Sequence, residues 1–210
     1  MRIAVFALAG LLLGSVSARP ALAEVASDAA SAKALAVGAS APGFTVHREN
    51  GSTYEFVPNR LSRPQVLIFY RGGWCPYCNA QLADLHEVEP KLRNSGFDVL
   101  FLSSDQPSFL YTSPKDKHLP YTLLSDNELK AAEAFHVAYH VDADTYAKLV
   151  QYGIDLEKTT GTTLHELPVP SVFIIDKSGA IRFVYSNPDY KVRLSADELW
   201  AAAKTLTPHK

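Results

Sequence analysis

A buried-looking strand that runs straight into two closely spaced thiols constrains this chain more than anything else in it. Val66-Leu67-Ile68-Phe69-Tyr70 is an unbroken apolar run. It ends at Arg71-Gly72-Gly73, and Trp74-Cys75-Pro76-Tyr77-Cys78 follows. A continuous apolar run bounded by Pro64 and Gly72 reads as a strand covered on both faces, which places it centrally in a sheet. From Cys75 the period changes. Cys75, Cys78, Leu82, Leu85, Val88 and Leu92 recur at steps of three or four, one face of a helix running toward the stop at Gly96, with Pro90 expected to kink it. The two cysteines are the only ones in the chain.

That spacing points to dithiol–disulfide chemistry. A loop so short restricts the unfolded chain little, so the pair makes a poor structural staple. At the first turn of a helix, free backbone N–H groups and the positive dipole end favour a thiolate. Cys75 is therefore expected to be the attacking sulfur, with a pKa below the free value of roughly 8.5. Cys78, one turn further in, is expected to resolve the mixed disulfide. Pro76 suits the first helical turn, where a missing N–H costs nothing. Zinc needs about four ligands and only scattered histidines are on offer, so no metal is expected. Covalent haem needs a His after Cys78, where Asn79 stands. No cofactor is implied. A copper carrier using both sulfurs and a His is the non-enzymatic alternative, because soft thiolates suit Cu(I).

The rest of the mature chain reads as alternating strands and helices. Asn50-Gly51 between Phe44–Val46 and Tyr54–Val57 signals a hairpin. Residues 97–102 and 121–124 read as strands, with a short helix expected around Phe109 to Lys117. Ser125-Asp126 is expected to cap a helix running to about His136. Residues 140–167 are the least periodic and suggest an inserted helix over 143–153 plus a loop. Residues 171–176 and 181–185 flank Lys177-Ser178-Gly179 as a second hairpin, and Ser195 caps a last helix. The class is α/β, a central mixed sheet flanked by helices, with the thiols at the C-terminal end of a central strand.

The amino terminus carries a different message. Met1-Arg2, an apolar stretch from Ile3 to Val16 and Ala21-Leu22-Ala23 form the layout of a secretory signal over residues 1–23. Its apolar core falls short of the roughly 20 residues that span a bilayer, so no stable membrane insertion is expected after cleavage. Residues 24–36, rich in Ala and Ser, read as a flexible leader, and 37–210 as the folded domain. The protein is expected to be exported, periplasmic or secreted, where disulfides persist. A net charge of −2 gives no basic face for nucleic acid.

Phe69 to Cys78 with Gln81-Leu82 resembles the redoxin branch of the peroxiredoxin-like proteins, the alkyl hydroperoxide reductase/thiol-specific antioxidant family, on a thioredoxin-like fold. Val169-Pro170-Ser171-Val172-Phe173-Ile174-Ile175-Asp176 and Asn187 to Arg193 are similar to later segments of that branch. The resemblance implies a thiol–disulfide oxidoreductase, or a thiol-dependent peroxidase using the same pair. It implies a cis Pro170 opposite the sulfurs, with the Val169 backbone beside them for a partner chain to pair with. Trp74, Pro76 and Tyr77 would shape the surface that meets a redox partner protein, a small thiol or a peroxide. Typical family members carry Pro-x-x-x-Thr/Ser-x-x-Cys and a separate Arg. Here those positions hold Ile68, Gly72 and Pro170. Arg71, at the strand end, is the candidate to support a thiolate or peroxide instead. Asp189, Tyr190 and Arg193 either orient the site or pin the last helix. His86, His118, His136, His140 and His165 carry no motif.

Overall fold

The computed structural model describes residues 25–110 and 121–206. The signal segment, His118 and most of the helix expected over 109–117 lie outside them. The strands are β1 (Phe44–His47), β2 (Thr53–Phe56), β3 (Gln65–Tyr70), β4 (Asp98–Ser103), β5 (Thr122–Ser125), β6 (Ala138–His140), β7 (Glu166–Pro168), β8 (Ser171–Ile175) and β9 (Ile181–Ser186). The helices are α1 (Pro76–Leu85), α2 (Glu89–Asn94), α3 (Lys130–Ala134), α4 (Ala143–Gln151), α5 (Leu156–Thr160) and α6 (Ala196–Lys204).

Seven strands form one mixed sheet in the order β2-β1-β5-β4-β3-β8-β9. β3 runs parallel to β4 and antiparallel to β8. Every residue of β3 is buried, which is why no polar alternation marks it. Its side chains still alternate between two cores. Val66, Ile68 and Tyr70 face the layer that holds Cys75, Cys78, Leu82, Leu85, Leu199 and Ala203. Leu67 and Phe69 face the other layer, where Phe69 meets Phe135 and Phe173 with ring centroids 5.5 and 5.9 Å away. A third, smaller cluster of Val141, Leu149, Leu156 and Leu167 lies under the inserted segment and touches Trp74.

Three local expectations change. Pro90 divides the helix rather than kinking it: α1 stops at Leu85 and α2 begins at Glu89, with the proline in its first turn. The expected inner face survives the break, since Cys78, Leu82, Leu85, Val88 and Leu92 are all buried. Asp126 caps α3 from a distance, its carboxylate accepting from the Ala131 and Ala132 N–H groups at 2.9 Å each. The stretch expected to be a flexible leader is docked from Val25 onward. The Ala26 N–H donates to the Ala138 carbonyl (3.1 Å), the Ala26 carbonyl accepts from His140, and the Leu35 N–H donates to the Phe135 carbonyl. Val25, Ala29, Ala32, Ala34 and Leu35 pack on the Phe69 side of the sheet. Small apolar side chains without a period leave no pattern in the sequence, yet they cover a flat core well.

Candidate active site

The strand-to-helix turn is held by the neighbouring strand. Ser104 Oγ donates to the Arg71 carbonyl at 2.7 Å, and the Gly73 N–H donates to Asp105 Oδ2 at 2.7 Å. Both partners follow β4, which parallel pairing brings alongside β3. Asn79 Nδ2 donates back to the Gly73 carbonyl at 2.9 Å, and the Cys75 N–H donates to the Gly72 carbonyl. Gly72 lies at φ +156°, and a Cβ there would sit 2.4 Å from Trp74 Nε1 and 2.7 Å from Asp105 Oδ1. The turn therefore excludes any side chain at 72, including a hydroxyl that could polarise a peroxide.

Cys75 is the N-cap of α1 and Pro76 its first helical residue. Both thiols are free, and both are buried: Cys75 is 1 % exposed and Cys78 fully enclosed. Their acidities split. The Cys78 thiol donating to Cys75, helped by the Cys78 backbone N–H and the charges of Arg71 and Arg193, outweighs burial and lowers the Cys75 pKa from 9.0 to about 6. Burial, and the donation of its proton to Cys75, push Cys78 up. One sulfur is a thiolate at neutral pH and its neighbour holds the proton.

Arg193, 115 residues further along, reaches the enclosed sulfur: its Nη2 is 3.3 Å from Cys78 Sγ. The guanidinium is fixed by Gln81 Oε1 (3.0 Å) and the Tyr190 carbonyl (2.7 Å). Of the two readings open for Arg193, orienting the site is the one its contacts fit. Asp189 instead accepts the Lys191 N–H and shapes its own turn. Arg71 is buried at 4 % exposure and lies between two rings, 4.9 Å from the Trp74 centroid and 4.3 Å from that of Tyr190. Tyr77 is exposed and meets Tyr190 edge-on at 5.6 Å, while Pro76 is exposed beside it.

The cis bond expected at Pro170 is not found. No cis peptide bond occurs among the described residues, so Pro170 is trans. The Val169 N–H already donates to the Val137 carbonyl (2.7 Å), and its carbonyl accepts from Ser171 Oγ (2.9 Å). With both groups taken and the residue 1 % exposed, no partner strand has a ladder to join there. The amide's partner, Val137, stands just before β6, and Val169 just after β7, so the bond extends the short β6–β7 pairing.

Tyr139 is the site neighbour that sequence reasoning missed. Burial raises its pKa, and the charges of Arg71 and of both sulfurs reach it. No spacing links a residue of a three-residue strand to a motif 61 positions earlier. Three of the histidines contact scaffold residues: His140 pairs with Glu166 (3.2 Å), His165 with Glu157 (2.8 Å) and His86 lies edge-on to Tyr121. Among the described residues no group of three His, Cys, Asp or Glu side chains is arranged to hold a metal.

A thiolate at a helix N-terminus, after a central strand of a mixed sheet and with a second thiol one turn on, defines a thioredoxin-fold dithiol protein. The chain belongs to the AhpC/TSA family, whose model matches residues 37–184. It is 27% identical over 150 residues to chloroplastic peroxiredoxin Q of Populus jackii, covering 71% of this chain and 60% of that protein. Chloroplastic peroxiredoxin Q of Oryza sativa subsp. japonica matches at 27% identity over 71% of this chain and 58% of its own length. The chain thus spans about 60% of the length of these relatives. The fold is shared with a peroxiredoxin-like protein from Aquifex aeolicus (TM-score 0.63, 22% identity, 83% of this chain and 89% of that one). It is shared also with peroxiredoxin Q of Xanthomonas campestris (TM-score 0.58, 18% identity, 78% and 91%).

Proposed function

We propose that the protein is a thiol-dependent oxidoreductase that cycles Cys75 and Cys78 between dithiol and disulfide. The observation that carries this reading is geometric: two free thiols one helical turn apart, Cys75 as the N-cap of α1 and Cys78 enclosed behind it with Arg193 Nη2 3.3 Å from its sulfur. In thiol–disulfide exchange the Cys75 thiolate attacks one sulfur of a substrate disulfide, and the other leaves as a thiolate. Cys78 then loses its proton and attacks Cys75 Sγ. The Cys75–Cys78 bond forms and the remaining substrate thiolate departs. Arg193 steadies the charge that Cys78 acquires. Pro76 and Tyr77 form the exposed rim that a redox partner protein or small thiol meets. Cys75→Ser abolishes disulfide reduction on this reading, and Cys78→Ser accumulates mixed disulfides. Ordinary turnover by either variant removes it.

A second reading is favoured by the enclosure of Cys75, which admits a small oxidant more readily than a protein disulfide. A peroxide would be attacked at oxygen, the O–O bond breaking and an alcohol or water leaving with a proton. Cys78 would then displace water from the sulfenic acid to give the same disulfide. Family membership supports this reading. The absence of any side chain at Gly72 weighs against a conventional peroxide pocket. Stopped-flow mixing of reduced protein with hydrogen peroxide decides: consumption no faster than by a free thiol excludes it.

The same reading includes export to the periplasm or beyond. It rests on the charge, apolar and Ala-x-Ala pattern of residues 1–23. The mass of protein recovered from the periplasmic fraction tests it; an intact amino terminus in the cytoplasm would rule it out.

A further inference from the structure

Arg71 is a buried cation with no carboxylate partner among the described residues. Its guanidinium makes no ion pair and no hydrogen bond among the described residues, and its Nε is enclosed with no acceptor. Two aromatic faces, Trp74 and Tyr190, hold it in place. Aromatic faces offset part of the cost of burying such a charge, but they leave the enclosed Nε–H unmatched. In the reduced protein the Cys75 thiolate stands as its nearby counter-charge, and the two interact electrostatically. Oxidation removes that charge: the disulfide is neutral while Arg71 remains cationic.

We propose that Arg71, between Trp74 and Tyr190, is a carboxylate subsite of the oxidised protein, and that the reductant it selects is a small thiol bearing a carboxylate. The proposal rests on the dithiol–disulfide cycle. The thiolate of the small molecule attacks Cys75 Sγ, the Cys75–Cys78 bond breaks, and Cys78 leaves as a thiolate beside Arg193. A second small thiolate attacks the mixed disulfide at the small molecule's own sulfur. A symmetrical small disulfide departs, Cys75 regains its negative charge, and Cys78 takes up a proton. The carboxylate is held by Arg71 when the counter-charge is missing and loses that advantage once Cys75 is again a thiolate. Binding of reductant and release of product are thereby coupled to the redox state of the pair.

The test compares reduction of the oxidised full-length protein by mercaptoacetate and by its neutral amide, mercaptoacetamide. Rates are expressed per thiolate, and the measured quantity is their ratio. Arg71→Met is expected to lower the acid-to-amide ratio about tenfold, the size of one charge-assisted hydrogen bond. Arg71→Lys is expected to restore part of it. General weakening of the fold, or of thiolate attraction, acts on both reagents and cancels. Should the variants fold poorly, the wild type still answers: at constant ionic strength acetate slows reduction by mercaptoacetate more than acetamide does. An unchanged ratio in Arg71→Met, or equal effects of acetate and acetamide, overturns the subsite while leaving the dithiol cycle intact. Failure of both thiols to reduce the wild-type disulfide overturns the cycle and the subsite together.

Discussion

Replacing Cys78 by Ala and by Ser separates the forces acting on Cys75. Its pKa falls from 9.0 to about 6, in favour of the thiolate. Burial opposes that fall and is outweighed by the favourable contributions, of which the Cys78 thiol is the largest. A hydrogen bond to a charged group is typically worth about 1.5–3 kcal/mol, or about one pKa unit and more. Cys78→Ala removes the donor and should raise the Cys75 pKa by about one unit or more, whereas Cys78→Ser keeps a donor and should leave it near 6. At pH 7 the thiolate fraction would be roughly 90% in the Ser variant and roughly 50% or less in the Ala variant. Each variant has a single thiol, so the ultraviolet absorbance of the thiolate against pH, checked by alkylation rate, reads it directly. Equal pKa values in the two variants would refute the account, and so would a value near 9 for Cys75 in the Ser variant.

Three further predictions follow the same logic. Gly72→Ala forces a Cβ to 2.4 Å from Trp74 Nε1; it should cost about 1–3 kcal/mol in denaturant unfolding and raise the Cys75 pKa, and a variant of wild-type stability and acidity would count against the tight turn. Arg193→Met removes the donor at 3.3 Å from Cys78 Sγ, so closure of the mixed disulfide in rapid-quench experiments should slow about tenfold, and an unchanged rate would make Arg193 merely structural. Burial raises the Asp126 carboxyl to about 7, while the unfolded group titrates near 3.8. The fold therefore binds a proton that the unfolded chain has released between these values, and stability should fall as pH rises from about 4 to 7, by on the order of 4 kcal/mol. Asp126→Asn should flatten that stretch of the stability–pH curve, and a curve of the same slope would assign the dependence elsewhere.

The local elements of this molecule were legible because each rests on a local cause. β3 is an apolar run between Pro64 and Gly72, the β1–β2 hairpin turns at Asn50-Gly51, and Ser195 with Glu198 closes a capping box on α6. The placement of the two thiols was legible for the same reason: the change of period at Cys75 sets Cys78 one helical turn on after a central strand. Even the position of Cys75 as N-cap follows from Pro76 behind it.

What the sequence could not decide is everything that depends on which distant segments come to rest against that turn. Arg71 was a candidate by position alone; only the approach of Tyr190 put it between two rings. Pro170 was expected to be cis with a free Val169 backbone beside it, but the fold keeps it trans and gives the Val169 amide to Val137. Residues 25–36 looked unpatterned and are docked, because flat contacts by Ala and Leu need no period. Periodicity and capping act over one or two turns of chain, so residues report them locally. The charge at a sulfur is set by guanidinium groups and burial across the whole fold. Thus the dithiol was written in five consecutive residues, from Trp74 to Cys78, while the acidity of Cys75 and the protonation of Cys78 exist only once the fold buries the pair and brings Arg71 and Arg193 to it.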